Sequence, residues 1–120
     1  MPYTAYLLVK NSDFKKGDYV GISGWNTKYT NDKHFTKRIV GVTGDIITKC
    51  DGFICINDKK IASLKDKTKN NEVLTPIESQ AIPKRHYFVL AEHKDSFDSR
   101  YQEFGLVKHE YIEGKAIPLW

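Results

Sequence analysis

The chain has 120 residues, and its 19 Lys and Arg against 15 Asp and Glu give a formal net charge of +4. This length fits one domain, and a hydrophobic fraction of 40% supplies a core, which excludes a second domain and a wholly disordered chain. No apolar run approaches the ~18–20 residues of a membrane-spanning helix, so none of these residues is expected to cross a bilayer.

In chain order, apolar residues recur mostly at every second position, and Gly, Asp and Asn interrupt the β-branched and aromatic residues. This pattern is typical of short β-strands, so the sequence predicts a single all-β domain built as a meander. Eight strands are predicted, at Thr4–Lys10, Asp18–Ile22, Phe35–Gly41, Asp45–Cys50, Phe53–Ile56, Lys60–Ala62, His86–Ala91 and Tyr111–Leu119.

The third predicted strand contains a lysine in an unusual place. Strand alternation puts Phe35, Lys37 and Ile39 on one face, so an ammonium shares that face with two large apolar side chains. One interpretation is a lysine at a sheet edge whose amine reaches water. The other is a desolvated lysine whose lowered pKa lets the neutral amine act as a general base. The periodicity does not decide between them.

Two cysteines flank a strong hairpin signal, Asp51-Gly52. In a two-residue turn Cys50 faces Phe53, so a bridge from Cys50 to Cys55 is expected to need a wider loop, Asp51 to Ile54. The alternative is a pair of free buried thiols. Zinc is disfavoured, because a single C-x4-C pair lacks a second pair of ligands.

The densest basic stretch, from Lys59 to Lys69, contains Asp66 and no aromatic residue. Nucleic-acid sites need a field of one sign and often aromatic stacking platforms. The run from Lys65 to Asn71 is therefore predicted to be a solvated surface loop, and no nucleic-acid partner is expected.

Two sequence boxes stand in a fixed order. The run from Lys37 to Asp45 reads K-R-I-V-G-V-T-G-D, and the run from Ser96 to Tyr101 reads S-F-D-S-R-Y and is followed by Gly105. They resemble the K-R-[VI]-[VI]-G-x-x-G-D and S-x-D-S-R-Y-x-G boxes of type I signal peptidases, a Ser/Lys family of membrane-bound processing enzymes. Lys16 to Val20 and Ile112 to Ile117 are similar to that family's flanking strands, so the resemblance covers nearly the whole chain.

Within that family, Ser96 to Tyr101 and the ending Ala116 to Trp120 look most like the TraF-type peptidases of conjugative plasmids, which mature pilin subunits. The G-D-N-R run that usually precedes the second box reads Ala91-Glu92-His93-Lys94 here, which favours this conjugative branch. The resemblance implies the signal-peptidase and LexA-like complex β-fold of short antiparallel strands.

The family's nucleophilic serine stands just before a Met-Pro element, and Met1-Pro2 resembles the segment that follows it. We therefore expect the serine and an N-terminal membrane anchor upstream of residue 1, the alternative being that Met1 replaces the serine. In either case the 120 residues alone are expected to be inactive.

The resemblance implies a role for each residue of the site. Lys37 is the general base for the serine, and Ser96 accepts a hydrogen bond from its amine and aims it. Asp98 and Arg100, two apart in an extended segment, are expected to pair and to support the loop that carries Ser96. The cleft for an extended substrate is assigned to Pro2, Tyr3, Phe35 and Thr36.

The resemblance implies two partners: a precursor polypeptide as substrate, either a prepilin or another secreted protein, and the membrane surface. The catalytic domain is expected on the periplasmic side of the inner membrane. It is expected to act as a monomer, without a cofactor or a metal. Because thiols are oxidised there, a disulfide between Cys50 and Cys55 is favoured over free thiols. A LexA-like self-cleaving domain and a non-catalytic β-barrel binding module are the alternatives.

Overall fold

The computed structural model describes residues 6–10, 13–26, 34–64, 74–91 and 97–118. Within these ranges it contains strands and a single short 3-10 helix, His109–Tyr111, which confirms the all-β prediction. The strands are β1 Tyr6–Val9, β2 Tyr19–Ile22, β3 Phe35–Gly41, β4 Ile46–Cys50, β5 Phe53–Ile56, β6 Lys59–Ser63, β7 Gln80–Ala81, β8 His86–Leu90, β9 Val107–Lys108 and β10 Ile112–Pro118.

The strands form two antiparallel sheets. The larger sheet has the order β1-β10-β2-β3-β8-β9 and the smaller has the order β6-β5-β4-β7. The predicted meander is correct for β4 to β6 but wrong for the larger sheet, where β1 pairs with β10 and Tyr6 lies opposite Pro118. Alternation along a strand shows which residues share a face, but it contains no information on the neighbouring strand.

The predicted bounds of β3 and β5 match the structure, and those of β2, β4, β6 and β8 differ by one residue at one or both ends. β7 and β9 were not predicted, because two residues are too few to show alternation. Thr4, Ala5 and Leu119, predicted at strand ends, and the predicted loop from Lys65 to Asn71 lie outside the described residues. None of the helices within the described ranges has the length and apolarity to cross a membrane.

β3 and β8 contribute to two hydrophobic clusters, one on each face of the larger sheet. Along β8, Tyr87 and Val89 pack in the first cluster, whereas Phe88 and Leu90 pack in the second, which also includes residues of the smaller sheet. Consecutive side chains of a strand point to opposite faces, so a strand covered on both sides is apolar throughout. This arrangement places Ile39, and with it the lysine-bearing face of β3, in the first cluster.

Two residues of the first box, Gly41 and Asp45, have structural roles. A Cβ at Gly41 would lie 2.7 Å from Ile82 Cδ1 and 3.0 Å from Phe88 Cβ, so a larger residue would have to displace these buried side chains. Asp45 closes the following turn by accepting hydrogen bonds from Val42 N and Asn57 Nδ2. Burial by itself raises the pKa of Asp45, but these bonds and the Lys16 ammonium outweigh it and hold the pKa below its usual value.

The cysteine hairpin is tighter than expected. Asp51 and Gly52 both have positive φ, and Cys50 pairs directly with Phe53, so the expectation of a wider loop from Asp51 to Ile54 is wrong. Cys55 is two positions beyond Phe53 and therefore lies diagonally across the same face from Cys50, with their Cα atoms 6.2 Å apart. The structure joins the two sulfurs in a disulfide.

Reduction of this disulfide is expected to lower the free energy of unfolding by no more than about 2 kcal/mol, because the closed loop is very short. Mass spectrometry after alkylation without reductant should detect no modified cysteine in protein made in an oxidising compartment. The matched control is the Cys50→Ser/Cys55→Ser variant, whose melting should not respond to reductant. Full alkylation of both cysteines before reduction would contradict the disulfide.

Candidate active site

The amine of Lys37 lies in a half-buried, largely aromatic environment. β3 runs between β2 and β8, and Lys37 faces Val20 across the pair with β2. Its Nζ lies 5.4 Å from the ring centroid of Phe35 and 5.8 Å from that of Phe104. It donates a hydrogen bond of 3.0 Å to the main-chain carbonyl of Phe97. Of the two interpretations of Lys37, the structure favours the desolvated amine.

Burial lowers the pKa of Lys37 below its ordinary value, because the charged form loses hydration. The Asp98 carboxylate opposes this shift and the Arg100 guanidinium adds to it. The aromatic rings attract an ammonium weakly and so also oppose the shift. A neutral amine donates one N–H to the Phe97 carbonyl and keeps its lone pair, so it can accept a proton from a nearby hydroxyl.

Asp98 and Arg100 form a buried ion pair beside this amine. Arg100 donates from Nε to Asp98 Oδ1 at 2.8 Å and from Nη2 to Oδ2 at 3.0 Å, and both residues are at most 1% exposed. Asp98 also accepts a hydrogen bond from Ala91 N, and Arg100 Nη1 donates to the Ser63 carbonyl at the end of β6. The pair therefore connects the turn to both sheets.

The expected pairing of Asp98 with Arg100 is present, but the expected extended segment is not. Arg100 N donates to Asp98 Oδ1, and Tyr101 N donates to the Asp98 carbonyl, so the chain turns at this point. Asp readily forms such local bonds to the backbone, which compete with strand pairing. The two side chains meet because of the turn and not because of a two-residue repeat.

Ser99, the second serine of the box, was not singled out from the sequence. It is fully buried, and its hydroxyl accepts a hydrogen bond from Val89 N and donates one to the Gly105 carbonyl. Both bonds fix its orientation and attach the turn to β8, so Ser99 is a structural residue. The position of Ser99 inside the box could have drawn attention to it. Residue type alone, however, does not show which of the two serines, Ser96 or Ser99, has a structural role.

The remaining site residues have different positions. Phe35 packs against the first cluster and contacts Lys37, whereas Thr36, the next residue of β3, lies opposite Gly21 and points to the other face. Ser96, Pro2 and Tyr3 lie outside the described residues. The structure thus brings Lys37, Phe35, Asp98 and Arg100 together.

Sequence reasoning missed Phe104, whose ring covers the Lys37 amine. Phe104 is 2% exposed and follows the second box at a position that alternation does not mark. Across the described part of the chain, no three His, Cys, Asp or Glu side chains are placed to hold a metal ion. The chemistry available among these residues is proton transfer at the Lys37 amine.

Comparison with known proteins identifies similar chains. The family model described as signal peptidase, peptidase S26, matches residues 2–120. Signal peptidase I T of Bacillus subtilis (strain 168) is 32% identical over 115 residues, which cover 87% of this chain and 55% of that protein. Signal peptidase I of Bacillus amyloliquefaciens is 32% identical over 116 residues, with 88% and 57% covered. The chain spans about half the length of these curated relatives.

A solved structure has a similar fold. The crystal structure of a signal peptidase I from Enterococcus faecalis V583 aligns with a TM-score of 0.56 at 23% sequence identity. The alignment covers 89% of this chain and 98% of that chain. The likeness shows a shared architecture of short antiparallel strands.

Proposed function

The chain belongs to the signal peptidase family, peptidase S26, and from this premise we propose that it is the catalytic domain of a Ser/Lys endopeptidase that removes leader peptides from secreted precursors. The observation that carries the proposal is the environment of the Lys37 amine. The amine is half-buried between aromatic rings, burial lowers its pKa, and it donates a hydrogen bond to the Phe97 carbonyl. A general base needs this combination of neutrality and fixed direction.

In the proposed reaction, Lys37 Nζ takes the proton of a serine hydroxyl as the serine oxygen attacks the scissile carbonyl. The peptide C–N bond then breaks, the proton passes to the leaving amine, and water hydrolyses the acyl-enzyme with Lys37 again as base. Ser96 is proposed to orient the amine, in the role of the third group of a triad. Asp98 and Arg100 hold the turn in place through their bonds to both sheets.

The attacking serine is proposed to stand on the N-terminal side of Met1-Pro2, because that dipeptide resembles the element that follows the family's serine. The substrate is proposed to pair as an extended strand with the backbone of Phe35 and Thr36. Pro2 and Tyr3 are proposed as further substrate-binding residues, as the family resemblance implies.

We further propose that the domain acts on the extracytoplasmic face of the membrane, at the inner membrane of a cell with a periplasm. The finer proposal is that its substrate is a conjugative prepilin. The Ser96 to Tyr101 box and the ending Ala116 to Trp120, which look most like those of TraF-type peptidases, support this choice. The relatives found by comparison are named signal peptidases I, which supports the wider class of secreted precursors.

The test uses membranes that contain the protein expressed from its natural gene. They are incubated with a prepilin and with an ordinary secretory precursor, and the products are identified by mass spectrometry. We expect cleavage at the leader junction and at least tenfold faster processing of the prepilin. A prepilin with bulky residues at the junction is the control and should stay uncut.

The outcomes separate the two levels of the proposal. Equal processing of both precursors would contradict the prepilin assignment and leave the peptidase assignment intact. Failure to cleave either precursor would contradict the peptidase assignment itself.

A further inference from the structure

Two side chains that follow β2 donate hydrogen bonds to the turn that contains Phe104. Trp25 Nε1 donates a hydrogen bond of 3.0 Å to the Phe104 carbonyl, and Asn26 Nδ2 donates to the same carbonyl at 3.1 Å and to the Glu103 carbonyl. Asn26 has φ of 54°, a left-handed conformation that asparagine tolerates. The ring centroids of Trp25 and Tyr111 lie 5.0 Å apart, and this packing fixes the direction of the Trp25 N–H.

These bonds connect the turn to the sheet that contains Lys37. Within the turn, Phe104 N and Gly105 N both donate to the Tyr101 carbonyl, and Gln102 N donates across to the Thr75 carbonyl. The donors on Trp25 and Asn26 come from a segment continuous with β2, and β2 pairs with β3 in a register that puts Val20 opposite Lys37. Asp98, Ser99 and Gln102 make other attachments of the turn region, and Trp25 and Asn26 add the bonds that hold residues 103 and 104 near the pair of β2 and β3.

The ring of Phe104 is the part of the turn that covers the amine. It lies 5.8 Å from Lys37 Nζ and packs against the rings of Phe35 at 5.9 Å and Phe97 at 5.3 Å. If the turn moved away from the sheet, water would reach the amine from this side. The charged groups that face Lys37, Asp98 and Arg100, belong to the same turn region and make bonds of their own to both sheets.

We propose that Trp25 and Asn26 are positioning residues, which hold the Phe104 ring against the Lys37 amine and thereby exclude water from it. This inference rests on the proposed role of Lys37 as the base. Trp25 acts through the Phe104 carbonyl, and Asn26 acts through the carbonyls of both Glu103 and Phe104. Their function is to keep the amine desolvated, which favours its neutral form.

The test removes the donors and keeps the packing and the backbone. Trp25→Phe keeps an aromatic ring against Tyr111 without the N–H, and Asn26→Gly keeps the positive φ without the amide. The pKa of Lys37 is measured by NMR titration of its side chain in the wild type, in each single variant and in the double variant. We expect the pKa of Lys37 to rise toward that of an exposed lysine in the double variant.

The same variants are assayed for processing across pH. A pKa rise of one unit lowers the neutral fraction of the amine about tenfold at pH values below both pKa values. We therefore expect kcat/KM to fall at least tenfold at neutral pH and to recover at alkaline pH. A merely structural loss lowers activity without moving the pH profile.

The matched control is Asn57→Gly. Asn57 is also left-handed, with φ of 52°, and its amide donates to Asp45 at the far end of the β4–β5 hairpin. It should lose stability without any change in the pKa of Lys37. A folded double variant with an unchanged Lys37 pKa and an unchanged pH profile would overturn the proposal, and Trp25→Phe alone provides this test if the double variant does not fold.

The pKa measurement separates this inference from the proposed function. If the pKa rises in the variants while processing does not require Lys37, the positioning role stands and the proposed base is wrong. If processing requires Lys37 but its pKa does not respond to the variants, the positioning role is wrong and the base stands.

Discussion

Lys37→Met is expected to lower precursor processing by about 10²- to 10⁴-fold, the usual contribution of a general base. Methionine has a similar length and fits between the rings of Phe35 and Phe104, but it has no lone pair basic enough to accept the serine proton. The measurement is kcat/KM with the precursor that the membranes process, at pH values on both sides of neutrality.

The same substitution is expected to stabilise the fold. Burial lowers the pKa of Lys37 in the native state, so between that lowered value and about 10.4 the unfolded chain binds more protons than the native one. The stability of the wild type therefore rises with pH across this window. The advantage of Lys37→Met in free energy of unfolding should be full below the native pKa of Lys37 and should fade as pH approaches about 10.4.

Arg38→Met is the matched control, because Arg38 is the next residue of β3 and its exposed side chain points to the other face. It should leave both processing and the pH dependence of stability close to those of the wild type. If Lys37→Met retained processing at a comparable rate, another group would have to be the base.

Arg100→Met is expected to lower the free energy of unfolding by about 3–5 kcal/mol, the usual effect of breaking a buried ion pair. The substitution leaves the Asp98 carboxylate fully buried without the Arg100 guanidinium and removes the donor to the Ser63 carbonyl. Chemical denaturation at neutral pH measures the loss. Because the remaining cost is that of an uncompensated charge, Asp98→Asn added to Arg100→Met should recover part of it.

Lys115→Met provides the comparison for this prediction. The Lys115 to Asp18 pair is 3.4 Å long and its lysine is 40% exposed, so its loss should cost no more than about 1 kcal/mol. Equal effects of the two substitutions would mean that burial does not set the strength of the Asp98 to Arg100 pair.

Several features of the protein follow from short stretches of sequence. Alternation placed Phe35, Lys37 and Ile39 on one face of β3, and the structure shows that face against the first cluster. Asp51-Gly52 predicted the hairpin, because positive φ at both turn positions suits these residues. The two boxes indicated the family that the comparisons show. Each of these signals lies within about ten consecutive residues.

Other features required the tertiary structure. Alternation left open whether Lys37 reaches water, since burial is decided by the Phe104 turn and by the Phe97 carbonyl, 60 positions away in sequence. It left open the pairing of β1 with β10, and it did not identify Trp25 and Asn26, whose hydrogen bonds span 77 to 79 positions.

The physical reason is the range of each interaction. Backbone preference and strand alternation act between neighbours in the chain, so a short sequence determines a turn, the face of a strand and the residue types of a box. Desolvation, ion pairing and strand order depend on which distant segments meet, and those contacts exist only once the two sheets have packed. The sequence by itself therefore determined the family and the lysine, and the tertiary structure decided that its amine is half-buried among aromatic rings.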